Sequence, residues 1–271
     1  MDIVYFGSDV FLPCFEYIAR RHNITALYTY HNDEDYFTEF EITKRAKELG
    51  IPIHYEAVSP DKTKEYFKNG CGLYFVAEYD RIIEIPDDLP EFRGINIHSS
   101  ALPEGRSYYP IESAMNLGLK RTGVTIHKLK PLLDSGEIIA QRVFDITDDM
   151  DSVDVYLSCA AYAAEMTKTL LSDFEREWDN AKTQTVKLPY WKRPASEFMT
   201  ITRSMTAEQA KEVFRRYNSL TEVEIGGARY YVKSLMTGKA KLYNDTVRVS
   251  ENIWLYKVSN GHLRLNLYPL K

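Results

Sequence analysis

Short apolar runs alternate with helix-like stretches along the first half of the chain. Such runs are typical of buried strands, and they cover residues 2–7, 24–30, 73–77 and 94–98. Stretches such as 39–49 and 111–118 instead repeat their apolar residues at helical spacing. This alternation predicts an α/β fold with a Rossmann-like, mostly parallel sheet that carries helices on both faces.

A change of character near residue 190 predicts a domain boundary. Upstream of it, residues 151–178 read as one long capped helix that closes the first domain. The proline-containing segment 188–194 then interrupts the pattern. We therefore predict a core domain over residues 1–189, followed over residues 190–271 by a linker and a small C-terminal α+β accessory domain.

The accessory domain is expected to contain one helix and several short strands. Thr206–Asn218 has the apolar spacing and the capping residue of a helix. Tyr230–Val232 and His262–Leu265 have the composition of strands. A small α+β lobe fits these features best.

Candidate chemistry lies in the run Ile95-Asn96-Ile97-His98, which alternates apolar and polar residues. Because strand side chains alternate between two faces, Asn96 and His98 are expected to share a face. The turn-forming residues 102–105 follow closely, which places the polar pair near the carboxyl end of the strand. Open α/β sheets bind their ligands at that end.

A third polar group is expected nearby if the next strand is a neighbour. Val124–His127 opens that strand candidate, and Asp134 lies in the turn at its far end. A carboxylate beside an imidazole favours the protonated form and fixes its orientation, so His98 and Asp134 would stabilise an oxyanion and relay a proton. Asn96 adds a neutral donor. Taken singly, each of these residues is more often a turn or capping residue than a catalyst, and their combination is what favours chemistry.

The composition agrees with a soluble enzyme of one large domain or two small ones. The 271 residues are 44% hydrophobic and 27% charged. No apolar stretch approaches the roughly 20 residues that cross a bilayer, and the N-terminus lacks the pattern of a signal peptide. The three cysteines have no spacing that suggests a nucleophile, a metal site or a disulfide framework. We therefore predict a cytoplasmic protein without a metal centre.

Three motifs in order resemble one family. They are Asn96–Pro103, Thr122–His127 and Leu133–Ile138, and they resemble the catalytic core of the 10-formyltetrahydrofolate-dependent formyltransferases. That family includes methionyl-tRNA, glycinamide ribonucleotide and sugar-nucleotide formyltransferases. The opening Ile3–Ser8 is similar to their first strand, and the resemblance spans about residues 1–185. The ordered set is more specific than any single motif.

The resemblance implies an N-formyltransferase whose catalytic residues are Asn96, His98 and Asp134, in a catalytic core over residues 1–189. In such enzymes an acceptor amine attacks the formyl carbon carried on N10 of the folate, through a tetrahedral intermediate. Asn96 and protonated His98 would stabilise its oxygen. Asp134 would hold His98 and help move a proton from the amine toward N10.

The resemblance also implies a site for 10-formyltetrahydrofolate, the formyl donor. The segment Ala77–Ile83 resembles the family segment that lines the pterin pocket. We expect Asp80, Arg81 and Ile83 to bind the folate, with Leu133 and its neighbouring backbone completing the pocket. The alternative explanation of Arg81 is a solvated loop arginine.

The motifs indicate the formyl donor but say less about which amine accepts the formyl group. Compact length and an acidic core resemble a sugar-nucleotide formyltransferase, so the favoured acceptor is the amine of a nucleotide-linked amino sugar. Methionyl-tRNA is the alternative. Residues 201–271 carry twelve Lys or Arg and six Asp or Glu, which would suit tRNA phosphates, a nucleotide diphosphate or a partner surface, although a solvated face is the most frequent explanation of such charges. That local charge of +6, with −5 overall, leaves −11 for residues 1–200. Phe6–Phe11 lacks a glycine-rich phosphate-binding turn, which ranks glycinamide ribonucleotide third.

Two further alternatives stay open. The chain is compatible with a homodimer, and the sequence does not decide the oligomeric state. A noncatalytic module that binds folate or a partner protein is the hypothesis of a different class. The presence of Asn96, His98 and Asp134 together argues against it, because such a module needs none of these positioned groups.

Overall fold

The computed structural model describes residues 1–31, 39–185, 188–238 and 246–270. Two 3₁₀ turns, Asp9–Phe11 and Asn218–Leu220, accompany the regular elements. The helices are α1 (Leu12–Arg21), α2 (Glu41–Glu48), α3 (Pro60–Lys68), α4 (Pro110–Asn116), α5 (Ser152–Ser172), α6 (Phe174–Asp179), α7 (Ser196–Met199) and α8 (Ala207–Tyr217). The strands are β1 (Asp2–Gly7), β2 (Asn23–Tyr28), β3 (Ile53–His54), β4 (Cys71–Ala77), β5 (Gly94–His98), β6 (Arg121–Lys128), β7 (Ile138–Asp145), β8 (Thr200–Ile201), β9 (Glu222–Ile225), β10 (Ala228–Gly238), β11 (Val247–Arg248), β12 (Ile253–Val258) and β13 (Gly261–Pro269).

Seven strands form the first sheet, in the order β3-β2-β1-β4-β5-β6-β7. The pairs from β3 to β5 are parallel, whereas β6 runs antiparallel to both β5 and β7. A parallel-rich sheet connected by helices confirms the predicted Rossmann-like α/β fold.

The central strands of this sheet are buried on both faces. Residues 3–6 of β1 and 73–75 of β4 are fully shielded from solvent. The ring of Phe6 stacks on Tyr28 with centroids 4.9 Å apart, and Tyr5 stacks on Phe75 at 5.4 Å. Continuous apolar runs of this kind suit a sheet that is covered on both sides. Polar side chains of the site therefore collect where the strands end.

The chain divides into two compact units. The first unit comprises residues 1–110, 120–145 and 156–191, and it contains the seven-stranded sheet. The second unit comprises residues 111–119, 146–155 and 192–271. The proposed boundary between residues 1–189 and 190–271 stays a prediction.

The second unit contains a six-stranded sheet in the order β11-β12-β13-β10-β9-β8. Its core consists of apolar residues of the sheet packed with Ala207 and Ala210 of α8. Thr206 caps α8, because its hydroxyl accepts from the Gln209 N–H while the Gln209 side chain accepts from the Thr206 N–H. The predicted helix over Thr206–Asn218 corresponds to α8 with one capping residue at each end, and the two predicted strands lie within β10 and β13.

The prediction of one long helix over residues 151–178 was wrong. The helix α5 ends at Ser172, and α6 begins at Phe174. Between them, Asp173 has φ −149° and ψ 65°, which is outside the helical region. Leu170, Leu171 and Phe174 are all buried, so the apolar spacing continues across the break and hides it in the sequence.

Candidate active site

Two neighbouring antiparallel strands place the polar side chains of the site. Asn96 of β5 lies opposite His127 of β6, and His98 ends β5. Ile95 and Ile97 are buried, as the predicted alternation requires. The Asn96 Nδ2 lies 3.3 Å from Nε2 of His127, and His127 Nδ1 lies 2.9 Å from the Lys128 carbonyl oxygen. Because a carbonyl only accepts, Nδ1 of His127 is the donor in the second contact.

A hydrogen-bonded loop follows His98 and fixes the orientation of its ring. His98 Nε2 lies 2.8 Å from the Gly105 carbonyl oxygen, so Nε2 is the donor. Thr125 of β6 donates to the Ser100 carbonyl at 2.7 Å and accepts from the Leu102 N–H at 3.2 Å. These contacts tie the loop to the neighbouring strand and leave Nδ1 of His98 directed to the other side of the ring.

The third group, Asp134, lies in a tight turn between β6 and β7. Its φ is 50°, a left-handed conformation that costs about 1–3 kcal/mol for most non-glycine residues and that Asp tolerates better than most. Gly136 is required in the same turn, because a Cβ there would lie 1.8 Å from the Lys128 carbonyl oxygen. The turn therefore lies directly against β6.

The Asp134 carboxylate faces both imidazoles. Its Oδ1 lies 3.7 Å from Nδ1 of His98 and 3.7 Å from Nε2 of His127. All three residues are at least 94% buried. These distances are within ion-pair range but longer than a hydrogen bond, and catalytic contacts often shorten only when substrate binds.

Burial governs the charge of His98. Loss of solvent lowers the pKa of His98 below its ordinary value of 6.5, although the Asp134 carboxylate and the Gly105 carbonyl oppose this effect. His127 and the Arg106 guanidinium lower the same pKa further. Without ligand the ring is therefore neutral at pH 7, and Nδ1 is the nitrogen without a proton; protonated His98 at the tetrahedral intermediate stays a prediction.

Asp134 remains ionised. Burial raises its pKa, but His98, His127 and Arg106 outweigh this and hold the pKa below the ordinary 3.8. An ionised carboxylate beside a neutral imidazole stabilises the imidazolium that forms when His98 accepts a proton.

Two adjoining cavities open beside these groups. The first, of about 490 Å³, is lined among others by Asn96, His98 and Asp134. The second, of about 610 Å³, is lined by Arg81, Ile83 and other residues. The cavities share five lining residues: Tyr79, Asn96, Tyr108, Leu133 and Asp134.

This arrangement agrees with the comparison of the sequence with protein families. Residues 42–170 match the family model described as formyl transferase. This match covers a little under half of the chain. The chain is similar to the methionyl-tRNA formyltransferase of Listeria innocua serovar 6a, with 29% identity over 182 residues. That match covers 64% of this chain and 58% of the relative, so the chain matches little more than half the length of such curated relatives.

Solved structures give the same fold. An N-formyltransferase from Helicobacter canadensis, in complex with folinic acid and dTDP-3-aminofucose, has a TM-score of 0.62 at 17% identity and covers 98% of this chain and 99% of its own. HypX from Aquifex aeolicus, in complex with tetrahydrofolic acid, has a TM-score of 0.69 at 14% identity. In that case 99% of this chain matches 44% of HypX.

The residues expected to bind folate are partly brought together. Arg81, Ile83 and Leu133 line the second cavity, and Leu133 lines the first as well. Arg81 is also anchored, since its Nη1 donates to the Tyr55 carbonyl at 2.8 Å. Asp80 is not among the described residues that line either cavity; its carboxylate lies 3.6 Å from the Arg81 guanidinium.

Sequence reasoning missed His127, Arg106 and Gln184 as residues of the site. His127 was visible as the polar end of the alternation Val124–His127, on the face that neighbours Asn96. Arg106 is only 5% exposed, and its charge lowers the pKa of both His98 and Asp134. No sequence pattern marks Gln184, which reaches the site from irregular chain after α6.

None of the helices in the described ranges is long and apolar enough to span a membrane. No group of three or more His, Cys, Asp or Glu in those ranges is arranged to hold a metal ion.

Proposed function

We propose that this protein is an N-formyltransferase that moves a formyl group from 10-formyltetrahydrofolate to the primary amine of a nucleotide-linked amino sugar. The observation that carries the proposal is the convergence of Asn96, His98 and Asp134 on one cavity that adjoins a second. A transferase with a donor and an acceptor needs two adjoining sites with the reacting groups between them.

The second cavity suits the pterin of the donor. Its lining includes the apolar side chains of Val76, Ile83 and Leu129, which can cover the faces of a flat ring. Arg81 and the backbone beside Leu133 would supply polar contacts to the ring edge. The donor brings the formyl group, already activated as an amide of N10.

The residues between the two cavities would carry the transfer. The acceptor amine forms a C–N bond to the formyl carbon, and the formyl oxygen takes up negative charge. Asn96 has one amide hydrogen directed to His127 and a second available for this oxygen. His98 accepts the proton that the amine loses, and Asp134 stabilises the resulting imidazolium. The C–N10 bond then breaks, the proton passes to N10, and tetrahydrofolate and the formamide leave.

The length of the structural match supports the choice of a nucleotide-linked amino sugar as acceptor. The Helicobacter canadensis enzyme, whose complex holds dTDP-3-aminofucose, matches this chain over nearly the full length of both. The second candidate acceptor is methionyl-tRNA, because the curated relatives carry that activity in their names at 29% identity. The locally basic residues 201–271 also favour it.

A direct assay tests the proposal. Purified protein is incubated with 10-formyltetrahydrofolate and, separately, dTDP- and UDP-linked amino sugars, methionyl-tRNA and glycinamide ribonucleotide, and products are identified by mass. A gain of one formyl group on an amino sugar is the expected result. Formylation of methionyl-tRNA alone would keep the chemistry and replace the acceptor. Folate binding without transfer to any amine would favour the noncatalytic alternative.

A further inference from the structure

We infer that Gln184 is a positioning residue of this active site, which holds the Asp134 turn in place from a segment outside both catalytic loops. The inference rests on the proposed function for its catalytic meaning. The segment concerned, called the strap here, consists of residues 182–185 and 188–191 of the first unit.

Gln184 contacts the turn directly. Its Nε2 donates to the Asp134 carbonyl at 2.9 Å and to the Gly136 carbonyl at 2.8 Å. Both hydrogens of the amide are thus used on the backbone that flanks the catalytic carboxylate. A left-handed Asp134 has to be held by its surroundings, and these two bonds act on the backbone that must keep that conformation.

The orientation of the Gln184 amide is fixed by Arg106. The Nη2 of Arg106 donates to Oε1 of Gln184 at 2.7 Å. Because a guanidinium can only donate, the amide oxygen must face Arg106 and the amide nitrogen must face the turn. Arg106 follows Gly105, whose carbonyl accepts from His98. One side chain therefore connects the loop that orients His98 with the turn that carries Asp134.

The rest of the strap joins the same two loops. The Lys182 and Ile138 backbones exchange hydrogen bonds of 2.8 Å next to the turn. The Tyr190 hydroxyl donates to the Leu133 carbonyl at 2.6 Å, and the Trp191 N–H donates to the Arg106 carbonyl at 2.9 Å. Gln184 is half-buried, whereas its neighbours Thr183 and Thr185 are exposed. Thr183 therefore offers a matched control on the same segment.

The decisive measurement is the pKa of His98, followed by NMR titration in four chains: wild type, Asp134→Asn, Gln184→Ala and the double variant. Because the Asp134 carboxylate raises the pKa of His98, Asp134→Asn is expected to lower this pKa in the wild-type background. If Gln184 holds Asp134 against His98, the same replacement shifts it less in the Gln184→Ala background. Equal shifts in both backgrounds would overturn the inference. The experiment requires no acceptor, so its outcome is independent of whether any amine is formylated.

Kinetics provide the second readout once an acceptor is known. Gln184→Ala is expected to lower kcat by about 100-fold, the scale of a misplaced catalytic group, with KM for the folate changed less than threefold. Thr183→Ala should leave both constants unchanged. Gln184→Glu keeps the volume and the acceptor for Arg106 but loses the donors to the turn, and it should lower kcat like Gln184→Ala. It also replaces Gln184→Ala in the titration if that variant does not fold. A kcat for Gln184→Glu equal to wild type would contradict the inference.

Discussion

Asp134 of the first unit and Glu222 of the second unit are both buried carboxylates, but their neighbours differ. Asp134 of the first unit is 5% exposed, lines both cavities and lies 3.7 Å from two imidazoles. Glu222 of the second unit is 6% exposed and pairs directly with the Arg229 guanidinium and with Ser196. A buried charge with close partners supports structure, whereas one held beside titratable groups at the edge of a cavity is available for chemistry.

The largest expected effect separates the two carboxylates by activity. Asp134→Asn should lower formyl transfer by about 10²–10⁴-fold, the range of a lost proton-transfer partner, while the fold persists. Glu222→Gln should leave kcat unchanged. Initial rates and far-UV circular dichroism of both variants check this. Wild-type-like turnover in Asp134→Asn, or the same turnover defect in both variants, would break the comparison.

For the carboxylate of the second unit, loss of a partner is expected to change the free energy of unfolding, not the activity. Arg229→Gln leaves the buried Glu222 charge without its cation, and we expect a loss of about 2–3 kcal/mol in the free energy of unfolding. Glu222→Gln should lose less, because the half-exposed Arg229 can turn to solvent. Urea unfolding measures both. Equal losses in the two variants would mean that burial of Glu222 does not decide the effect.

The acid side of the stability curve tests the neutral state of His98. Because the pKa of His98 is lowered in the folded state, the unfolded state binds the proton first as the pH falls below about 7. Stability therefore falls with pH, by at most about 1.4 kcal/mol per pH unit for one proton. His98→Gln should flatten the unfolding free energy between pH 7 and pH 5.

His22 supplies the control for this titration. Its pKa is also lowered, by partial burial, the N-terminus and Arg21, but the side chain is only partly buried. His22→Gln should flatten the curve much less than His98→Gln. Parallel curves for His98→Gln and the wild type would mean that His98 is not held neutral by burial.

Three residues of the site could be predicted because their signals lie in short local stretches of sequence. Period-two alternation placed Asn96 and His98 on one face of a strand, and turn chemistry marked Asp134, because both signals reside in adjacent residues. Contacts from irregular chain leave no such period. Gln184 reaches Asp134 across 50 positions in sequence, and its strap has neither helical nor strand spacing.

The charge of His98 was unpredictable for a related reason. The sequence indicated a neighbouring carboxylate, which favours protonation, but burial and the approach of Arg106 and His127 depend on the packed fold. The break at Asp173 was hidden because the buried positions on either side keep helical spacing. The sequence therefore predicts a helix or strand correctly where its apolar pattern matches the buried positions. It does not reveal a break such as Asp173, where the backbone angles change but the pattern of buried residues continues.

The smallest expected effect concerns a third carboxylate. It is ion-paired like Glu222 but exposed to solvent, so it tests ion pairing without burial. Asp145 lies 3.0 Å from the Arg121 guanidinium, and both side chains are about two thirds exposed or more. Solvent and salt screen such a pair, so Asp145→Asn should change the free energy of unfolding by less than about 0.5 kcal/mol and leave transfer unchanged. Urea unfolding at low and high salt checks this. A loss comparable to that of Arg229→Gln would show that ion pairing itself, and not the burial of one partner, governs the stability of these carboxylates.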